Sequence, residues 1–147
     1  MNKAYICLGS NAPLGAAAID AAVLFVAENG SIVADTGKYP TEPEYDPRSP
    51  RYLNRILVLE TELNLVSLSA ITKSYETQKR IEAATAESSQ GCFRRYCEVD
   101  GPKIVAIDID IVEWNGEILR PSDKVAAYYR KGISILDGLK SVVIGAL

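Results

Sequence analysis

The chain has 147 residues, of which 48% are hydrophobic and 24% charged, and this length and composition predict one globular domain over residues 1–147. Its formal net charge is −3, so no overall positive field draws nucleic acid or an anionic membrane to it. The sequence contains no histidine, which excludes Ser-His-Asp and Cys-His catalysis and zinc sites built on histidine. Any chemistry must therefore use carboxylates, hydroxyls, lysine, arginine, backbone groups or bound metal ions.

The apolar segments are short. The run from Ala4 to Leu8 is too short for the core of a signal peptide, and no later run approaches the ~18 residues of a membrane span. The three cysteines, Cys7, Cys92 and Cys97, lack CxxC spacing, which argues against a disulfide framework or a zinc site. We therefore expect a cytoplasmic protein with reduced thiols, and neither a membrane nor a nucleic acid as its partner.

The first half of the chain predicts a strand, a helix and a second strand, followed by a loop. The apolar run 4–8 predicts a buried strand, which ends at the turn-forming residues 9–11. Apolar residues at helical spacing predict a helix over 16–27, and 31–36 predicts a second strand. Residues 37–51 are rich in proline, which predicts a long irregular loop because each proline lacks a backbone donor.

The second half repeats the pattern of strand and helix. Alternation over 52–61 predicts a long strand, and Asn64 begins a helix that runs to about residue 84. Residues 85–100 predict a loop, 103–114 the clearest strand, and Asn115-Gly116 a hairpin turn. The tail, 123–147, combines a short helix with an apolar stretch. This order predicts an α+β fold with an antiparallel sheet and helices packed on one of its faces.

Two aspartates in the last long strand form the sharpest chemical feature. Asp108 and Asp110 alternate with isoleucines, so both carboxylates share one face, with their Cα atoms about 7 Å apart. Two carboxylates at this spacing can share one or two Mg²⁺ ions. The solvated face of an antiparallel sheet also accommodates acidic residues. However, Ile104, Ala106 and Val112 make this face half apolar, which favours a cleft.

Several short motifs follow one another in the order seen in a known family. They are Leu8-Gly9-Ser10-Asn11, Tyr39-Pro40-Thr41-Glu42-Pro43, Tyr52-Leu53-Asn54 with Leu59-Glu60-Thr61, Glu76, and Asp108-Ile109-Asp110 after Gly101-Pro102-Lys103. Together they cover roughly residues 4 to 119, and over that range the chain resembles the 6-hydroxymethyl-7,8-dihydropterin pyrophosphokinases. Each motif is weak alone, and the set is fairly specific.

The resemblance implies a ferredoxin-like fold and the transfer of pyrophosphate from ATP to the hydroxymethyl group of the pterin, a step in folate synthesis. It implies that Asp108 and Asp110 are the catalytic residues and hold two Mg²⁺ ions. The residues that it implies for binding the pterin are Thr41, Pro43, Tyr52 and Asn54. Those implied for binding the nucleotide are Glu76, Arg94, Arg95, Lys103, Ile111 and Lys131. Phosphoryl-type transfer depends on positioning and charge neutralisation, so a chain without histidine can perform it.

The basic residues expected around the ATP phosphates are only partly matched. The family carries an arginine-rich loop before its aspartates, where this chain has Arg94 and Arg95, and Lys103 stands in place of a motif arginine. Lysine is a point charge and cannot bind phosphate with the two-pronged geometry of arginine. The sequence therefore also allows reduced or altered activity, or a catalytically silent ferredoxin-like module that binds a pterin or another heterocycle. A third hypothesis is a metal-dependent transferase or hydrolase that acts on another phosphorylated heterocycle.

Overall fold

A computed structural model describes residues 1–43, 48, 50–86 and 104–146. The elements, in chain order, are β1 Asn2–Ser10, α1 Gly15–Ala27, β2 Ser31–Asp35, β3 Tyr39–Thr41, β4 Tyr52–Thr61, α2 Leu65–Ala86, β5 Asp108–Trp114, β6 Glu117–Ile118, α3 Pro121–Val125 and α4 Ala127–Ala146. No helix in the described ranges is both long and apolar enough to cross a membrane.

The strands form one antiparallel sheet in the order β2-β4-β1-β5-β6, and β3 pairs with β4 beyond the end of β2. β1 lies at the centre because it is apolar on both faces, as its run of buried residues shows. The predicted α+β class and antiparallel sheet are confirmed. So are the helix predicted over 16–27 and the strand predicted over 52–61.

Both faces of the sheet are covered. The first core lies between the sheet and helices α1 and α2, and its buried residues are Ala4, Ile6, Leu8, Ile19, Ala22, Val26, Leu57, Leu59, Leu68, Ile107, Ile109 and Ile111. The second core lies on the opposite face, against α4, and contains Cys7, Tyr39, Ile56, Val58, Val112, Tyr129 and Leu136. The expectation that helices pack on one face is therefore met by α1 and α2 only, because α4 buries its own apolar stripe against the other face.

The proline-rich segment contains a short strand that the sequence did not predict. Tyr39, Pro40 and Thr41 pair with Asn54, Leu53 and Tyr52. β4 already pairs with β1 on its other side, so β3 lies at an edge of the sheet. An edge strand tolerates proline where the backbone nitrogen faces away from the neighbouring strand, because no hydrogen bond of the ladder is then lost.

The strand predicted over 103–114 begins later, at Asp108. Two side chains at the end of β1 hold the backbone of Val105. Its N–H donates to Oδ1 of Asn11 at 2.6 Å, and its carbonyl accepts from the Ser10 hydroxyl at 3.0 Å. The ladder with β1 therefore starts only at the pair Gly9 and Asp108. This leaves Ile104 and Ala106, predicted on the aspartate face of a strand, outside β5.

A β-bulge interrupts the alternation near the other end of β5. The register of β5 against β1 shifts between Tyr5 and Ile6, which pair with Glu113 and Ile111. Val112 stays in the second core, whereas Trp114 packs against the first core. Strict alternation would have placed Trp114 with the aspartates, and the extra residue of the bulge reverses its direction. The predicted hairpin follows, with Asn115 and Gly116 at φ 49° and 84°.

Candidate active site

A row of three residues crosses the sheet, one from each of three neighbouring strands. Gly9 of β1 pairs with Asn54 of β4 on one side and with Asp108 of β5 on the other. Directly paired residues of antiparallel strands project to the same face. A Cβ added to Gly9 would lie 3.0 Å from Oδ1 of Asn54. The glycine therefore puts no side chain between the amide of Asn54 and the carboxylate of Asp108.

A second row lies two residues along the strands and includes Asp110. Cys7 pairs with Ile56 and Asp110, and it is 5% exposed. Burial raises the pKa of the Cys7 thiol far above its ordinary value, and the charge of Asp110 raises that pKa further. The thiol is therefore neutral and a poor nucleophile, and Cys7 serves as a buried apolar neighbour of the aspartate.

Asp108 and Asp110, called the aspartate pair below, lie on one face of β5 as their spacing predicted, because they pair with alternate residues of β1. Asp108 is half-buried, and the side chain of Asp110 is 19% exposed. Two cations flank Asp110. The Lys73 ammonium lies 3.8 Å and the Arg120 guanidinium 3.7 Å from its Oδ1. The site therefore combines two carboxylates with local positive charge.

The donor chemistry of the aspartate pair suits a hard divalent cation. Mg²⁺ prefers oxygen ligands and is usually held by one or two carboxylates, with water and substrate phosphates completing its shell. Among the described residues, no group of three or more acidic, cysteine or histidine side chains could enclose a metal ion. The pair therefore fits an open magnesium site that shares its ion with a phosphorylated substrate, and does not fit a closed structural site.

Glu76 of α2 contacts β5 along the edge that faces away from β1. It is 2% exposed, and its Oε1 accepts a hydrogen bond of 2.5 Å from the backbone N–H of Ile109, the residue between the two aspartates. Its Oε2 lies 3.2 Å from the ammonium of Lys73, one helical turn earlier. Helix α2 thus brings a buried carboxylate and a half-exposed lysine to the strand that carries the aspartate pair.

On the opposite side of Gly9, three of the four residues predicted to bind the pterin, Thr41, Tyr52 and Asn54, lie together. Asn54 is 5% exposed, and its Nδ2 donates to Oγ1 of Thr41 at 2.5 Å. Thr41 pairs with Tyr52 across the β3–β4 ladder, and Pro43 follows two residues later, half-buried. The short edge strand thereby fixes the orientation of the Asn54 amide, with Oδ1 directed toward the space above Gly9.

A family model for 7,8-dihydro-6-hydroxymethylpterin-pyrophosphokinase matches residues 5–130. The chain belongs to this family. No curated protein matches the sequence. At the level of the pyrophosphokinase family, the match supports a diphosphate-transferring enzyme of folate biosynthesis, a class that uses ATP and Mg²⁺.

Among the residues that the pyrophosphokinase resemblance implies for the nucleotide, Lys131 and Ile111 are described by the structure and lie apart from the aspartate pair. Lys131 donates to the carbonyl of Pro40 at 2.7 Å, and its ammonium lies 5.9 Å from the centre of the Tyr39 ring, beside β3. The side chain of Ile111 is buried in the first core, on the face of β5 opposite the aspartate pair. Arg94, Arg95 and Lys103 lie outside the described residues. The nucleotide contacts of all these residues stay predictions.

A chain of polar contacts next to the aspartate pair was not predicted from the sequence. Arg120 binds Asp123, and Asp123 accepts from the hydroxyl of Tyr128. The carbonyl of Tyr128 accepts from the hydroxyl of Tyr39 at 3.0 Å, at the start of β3. Burial and the bond to Asp123 raise the pKa of Tyr128 far above its ordinary value, so its phenol stays a neutral donor.

Of the two cations beside Asp110, Lys73 follows from a pattern in the sequence and Arg120 does not. Lys73 stands three positions before Glu76 on a predicted helix, a spacing that brings side chains together. Arg120 follows a hairpin and belongs to no periodic pattern, so only the tertiary structure brings it to Asp110. Burial alone would lower the pKa of Arg120, but the charges of Asp110 and Asp123 outweigh that effect and raise it. The guanidinium is therefore permanently charged.

Proposed function

We propose that this chain transfers pyrophosphate from ATP to the hydroxymethyl group of 6-hydroxymethyl-7,8-dihydropterin with the help of Mg²⁺. The family match supports the reaction class. The row of Asn54, Gly9 and Asp108 carries the assignment of the site, because it sets an amide and a metal-binding carboxylate on one face, either side of a residue without a side chain. Their strands are two positions apart, or ~10 Å, enough for a bicyclic heterocycle and its hydroxymethyl arm.

The pterin is assigned to the Asn54 side. A pterin ring presents alternating N–H donors and nitrogen or oxygen acceptors along its edge, and a buried amide whose orientation is fixed can select that pattern. Thr41 fixes the amide by accepting from Nδ2, which turns Oδ1 toward the space above Gly9. We assign Tyr52, which pairs with Thr41, and Pro43, two residues after Thr41, to the apolar surface beside it.

The triphosphate is assigned to the aspartate side. The hydroxymethyl oxygen attacks the β-phosphorus, the bond from that phosphorus to the oxygen shared with the α-phosphate breaks, and AMP leaves with that oxygen. The hydroxyl proton passes to solvent or to the leaving phosphate. Mg²⁺ held by Asp108 and Asp110 would neutralise charge on the transferred phosphates. Arg120 and Lys73, beside Asp110, add positive charge for the remaining oxygens.

The direct test mixes the protein with ATP, Mg²⁺ and the hydroxymethyl dihydropterin and follows AMP and the pterin diphosphate by ³¹P NMR. We expect both products in equal amounts and none when EDTA removes the metal. Asp110→Asn removes one anionic ligand, so turnover should fall at least ~100-fold. Mutation of a residue that only orients a metal ligand already lowers activity by up to ~100-fold. Asp137→Asn, the same change at an exposed position of α4, is the matched control and should stay within about twofold of wild type.

Two outcomes would reject this proposal. Calorimetric binding of the pterin without formation of AMP, at any Mg²⁺ concentration, would identify a silent binding module. Release of phosphate or pyrophosphate from ATP without a pterin product would identify a hydrolase or a transferase for another acceptor.

A further inference from the structure

Glu76 of α2 contacts β5, the strand of the aspartate pair, through a buried carboxylate that lies outside the sheet. β5 pairs with β1 along one edge, while on its other edge β6 pairs only with Glu113 and Trp114. Within the described part of the chain, no strand pairs with the outer edge of β5 at Asp108 to Ile111. The N–H of Ile109 points to that edge, and its acceptor is Oε1 of Glu76, at 2.5 Å.

Packing alone does not explain an acidic residue here. Glu76 is 2% exposed, and burying a carboxylate is unfavourable unless charged or polar partners compensate. A leucine or methionine would fill the same volume on α2 at no such cost. Within the described part of the chain, the N–H of Ile109 and the ammonium of Lys73 compensate this carboxylate. Hydrogen bonds to a carboxylate are about twice as strong as neutral ones, so this contact fixes the peptide plane firmly.

The position of that peptide plane matters to both aspartates. Ile109 lies between Asp108 and Asp110, and the orientation of its backbone sets the direction in which each neighbouring side chain leaves the strand. Glu76 also holds Lys73, whose ammonium lies 3.8 Å from Oδ1 of Asp110. The carboxylate therefore acts on the aspartate pair by two routes, through the backbone of β5 and through Lys73.

We propose that Glu76 is a positioning residue for the metal site, which holds the two aspartates at the separation that a divalent cation requires. This inference rests on the proposed function only in taking the aspartate pair as metal ligands. It differs from the nucleotide contact that the family resemblance implies for Glu76, because the effect passes through Ile109 and needs no contact with ATP.

The test compares three variants of the full chain. Glu76→Gln keeps an acceptor oxygen for Ile109, and Glu76→Met fills the space without one. Glu82→Met, at a position of α2 that is 53% exposed, is the matched control for the same substitution.

Binding of Mn²⁺, a paramagnetic probe for Mg²⁺, is measured by electron paramagnetic resonance with a non-hydrolysable ATP analogue. We expect Mn²⁺ to bind ~10- to 100-fold more weakly to Glu76→Met. Glu76→Gln should lose less than about fivefold, and Glu82→Met should match wild type.

The amide proton of Ile109 reports on the contact without any ligand. In wild type it should resonate far downfield and exchange slowly with solvent, since a carboxylate accepts it. The shift should decrease in Glu76→Gln, and exchange should become fast in Glu76→Met. Should Glu76→Met fail to fold, the shift and the Mn²⁺ affinity of Glu76→Gln decide the question. A wild-type Ile109 amide without a downfield shift or protection, or one that Glu76→Gln leaves unchanged, would overturn the inference.

Enzyme kinetics then separate positioning from nucleotide contact. A positioning residue predicts that Glu76→Met raises the Mg²⁺ concentration for half-maximal rate and lowers kcat, while the KM for ATP at saturating Mg²⁺ changes little. A rise in the KM for ATP alone, equal in both Glu76 variants and with Mn²⁺ binding unchanged, would overturn the inference while leaving the proposed function intact. A wild-type protein that binds Mn²⁺ in a Glu76-dependent way yet makes no pterin diphosphate would refute the proposed function and support the inference.

Discussion

At the scale of the residue, an ion pair with two parallel hydrogen bonds lies outside the candidate site, where β2 meets β4. Arg55 is 18% exposed and gives two parallel bonds to Asp35, with Nε 2.8 Å from Oδ1 and Nη2 2.6 Å from Oδ2. The N–H of Gly37 donates to the same Oδ1. Burial alone would raise the pKa of Asp35, but the bonds from Arg55 and Gly37 and the charge of Arg55 outweigh it and hold that pKa below its ordinary value.

This depressed pKa predicts a stability that depends on pH. Because the folded state favours the charged form of Asp35, the stabilisation is complete above the unfolded pKa, near 3.9, and is lost as the pH falls through the lower folded value. Asp35→Asn should therefore lower the free energy of unfolding by about 1–3 kcal/mol at pH 7. The difference from wild type should shrink below about pH 4. Urea titrations of both proteins at several pH values measure it.

Asp20 provides the control for this measurement. It accepts from Arg55 at 3.2 Å and from Lys38 at 2.8 Å, but its side chain is 53% exposed. An exposed pair contributes little, so Asp20→Asn should cost less than about 1 kcal/mol. A cost for Asp35→Asn that is the same at pH 3 and pH 7 would show that the ionised form of Asp35 is not what stabilises the fold.

The sequence predicted single residues of the site where local geometry decides their place. Alternation in a strand placed both aspartates on one face. Thr41 and Asn54 were implied by the family resemblance, and they meet through the pairing of β3 with β4, which no local pattern predicted. Arg120 could not be found in this way, because its distance of 3.7 Å from Asp110 depends on how α3 folds back beside β5. Local patterns do not contain that information.

Among the elements, α4 holds the short edge strand β3 in place. Gly132 of α4 lies so near the sheet that an added Cβ would be 2.3 Å from Cδ1 of Ile56 and from the hydroxyl oxygen of Tyr39. Two bonds join the same elements, from Tyr39 to the carbonyl of Tyr128 and from Lys131 to the carbonyl of Pro40. The helix thus holds the edge strand that carries Thr41.

Gly132→Ala should therefore weaken both the fold and the pterin side of the site. The methyl group forces α4 away from Ile56 and Tyr39, at a cost of about 1–3 kcal/mol in the free energy of unfolding. The displaced β3 should also raise the KM for the pterin more than the KM for ATP. Thermal unfolding and steady-state kinetics measure the two effects.

Gly138 is the matched control on the same helix. A Cβ at this exposed position meets nothing within 4 Å, so Gly138→Ala should stabilise the helix by ~0.5–1 kcal/mol. If both alanine variants stabilised the protein alike, the close contact at Gly132 would not exist in solution.

The elements that the sequence predicted well are those with an unbroken period. β4 and α1 each carry a regular apolar pattern and match their predicted ranges closely. β3 contains a proline that only an edge position allows, and the start of β5 depends on Asn11 and Ser10 across the sheet. These features require knowledge of the neighbours of a segment, so no pattern within the segment could reveal them.

At the scale of the whole molecule, one sheet separates two cores. β1 supplies Ile6 and Leu8 to the first core and Cys7 to the second, so a single strand is buried on both faces. β4 does the same, with Leu57 on one face and Ile56 on the other. Loss of either core exposes one face of both central strands. We therefore propose that the chain unfolds as one domain.

This proposal predicts that α4, although it belongs to the tail of the sequence, is as much a part of the folding unit as α1. Leu136 is 3% exposed in the second core, and Leu139, one turn later, is 47% exposed. Leu136→Ala should lower the free energy of unfolding by ~2–5 kcal/mol, a large share of the ~5–15 kcal/mol typical of a domain. Leu139→Ala should cost less than about 1 kcal/mol.

Urea unfolding followed by both fluorescence and far-UV circular dichroism measures these values and the number of transitions. The indole of Trp114 packs against the first core, so fluorescence reports on the face opposite α4. If the two cores unfold together, Leu136→Ala shifts the fluorescence transition and the helical signal to the same lower urea concentration, with an unchanged slope. A helical transition that moves while the fluorescence of Trp114 stays in place would show that α4 unfolds separately, and the single-domain proposal would then be wrong.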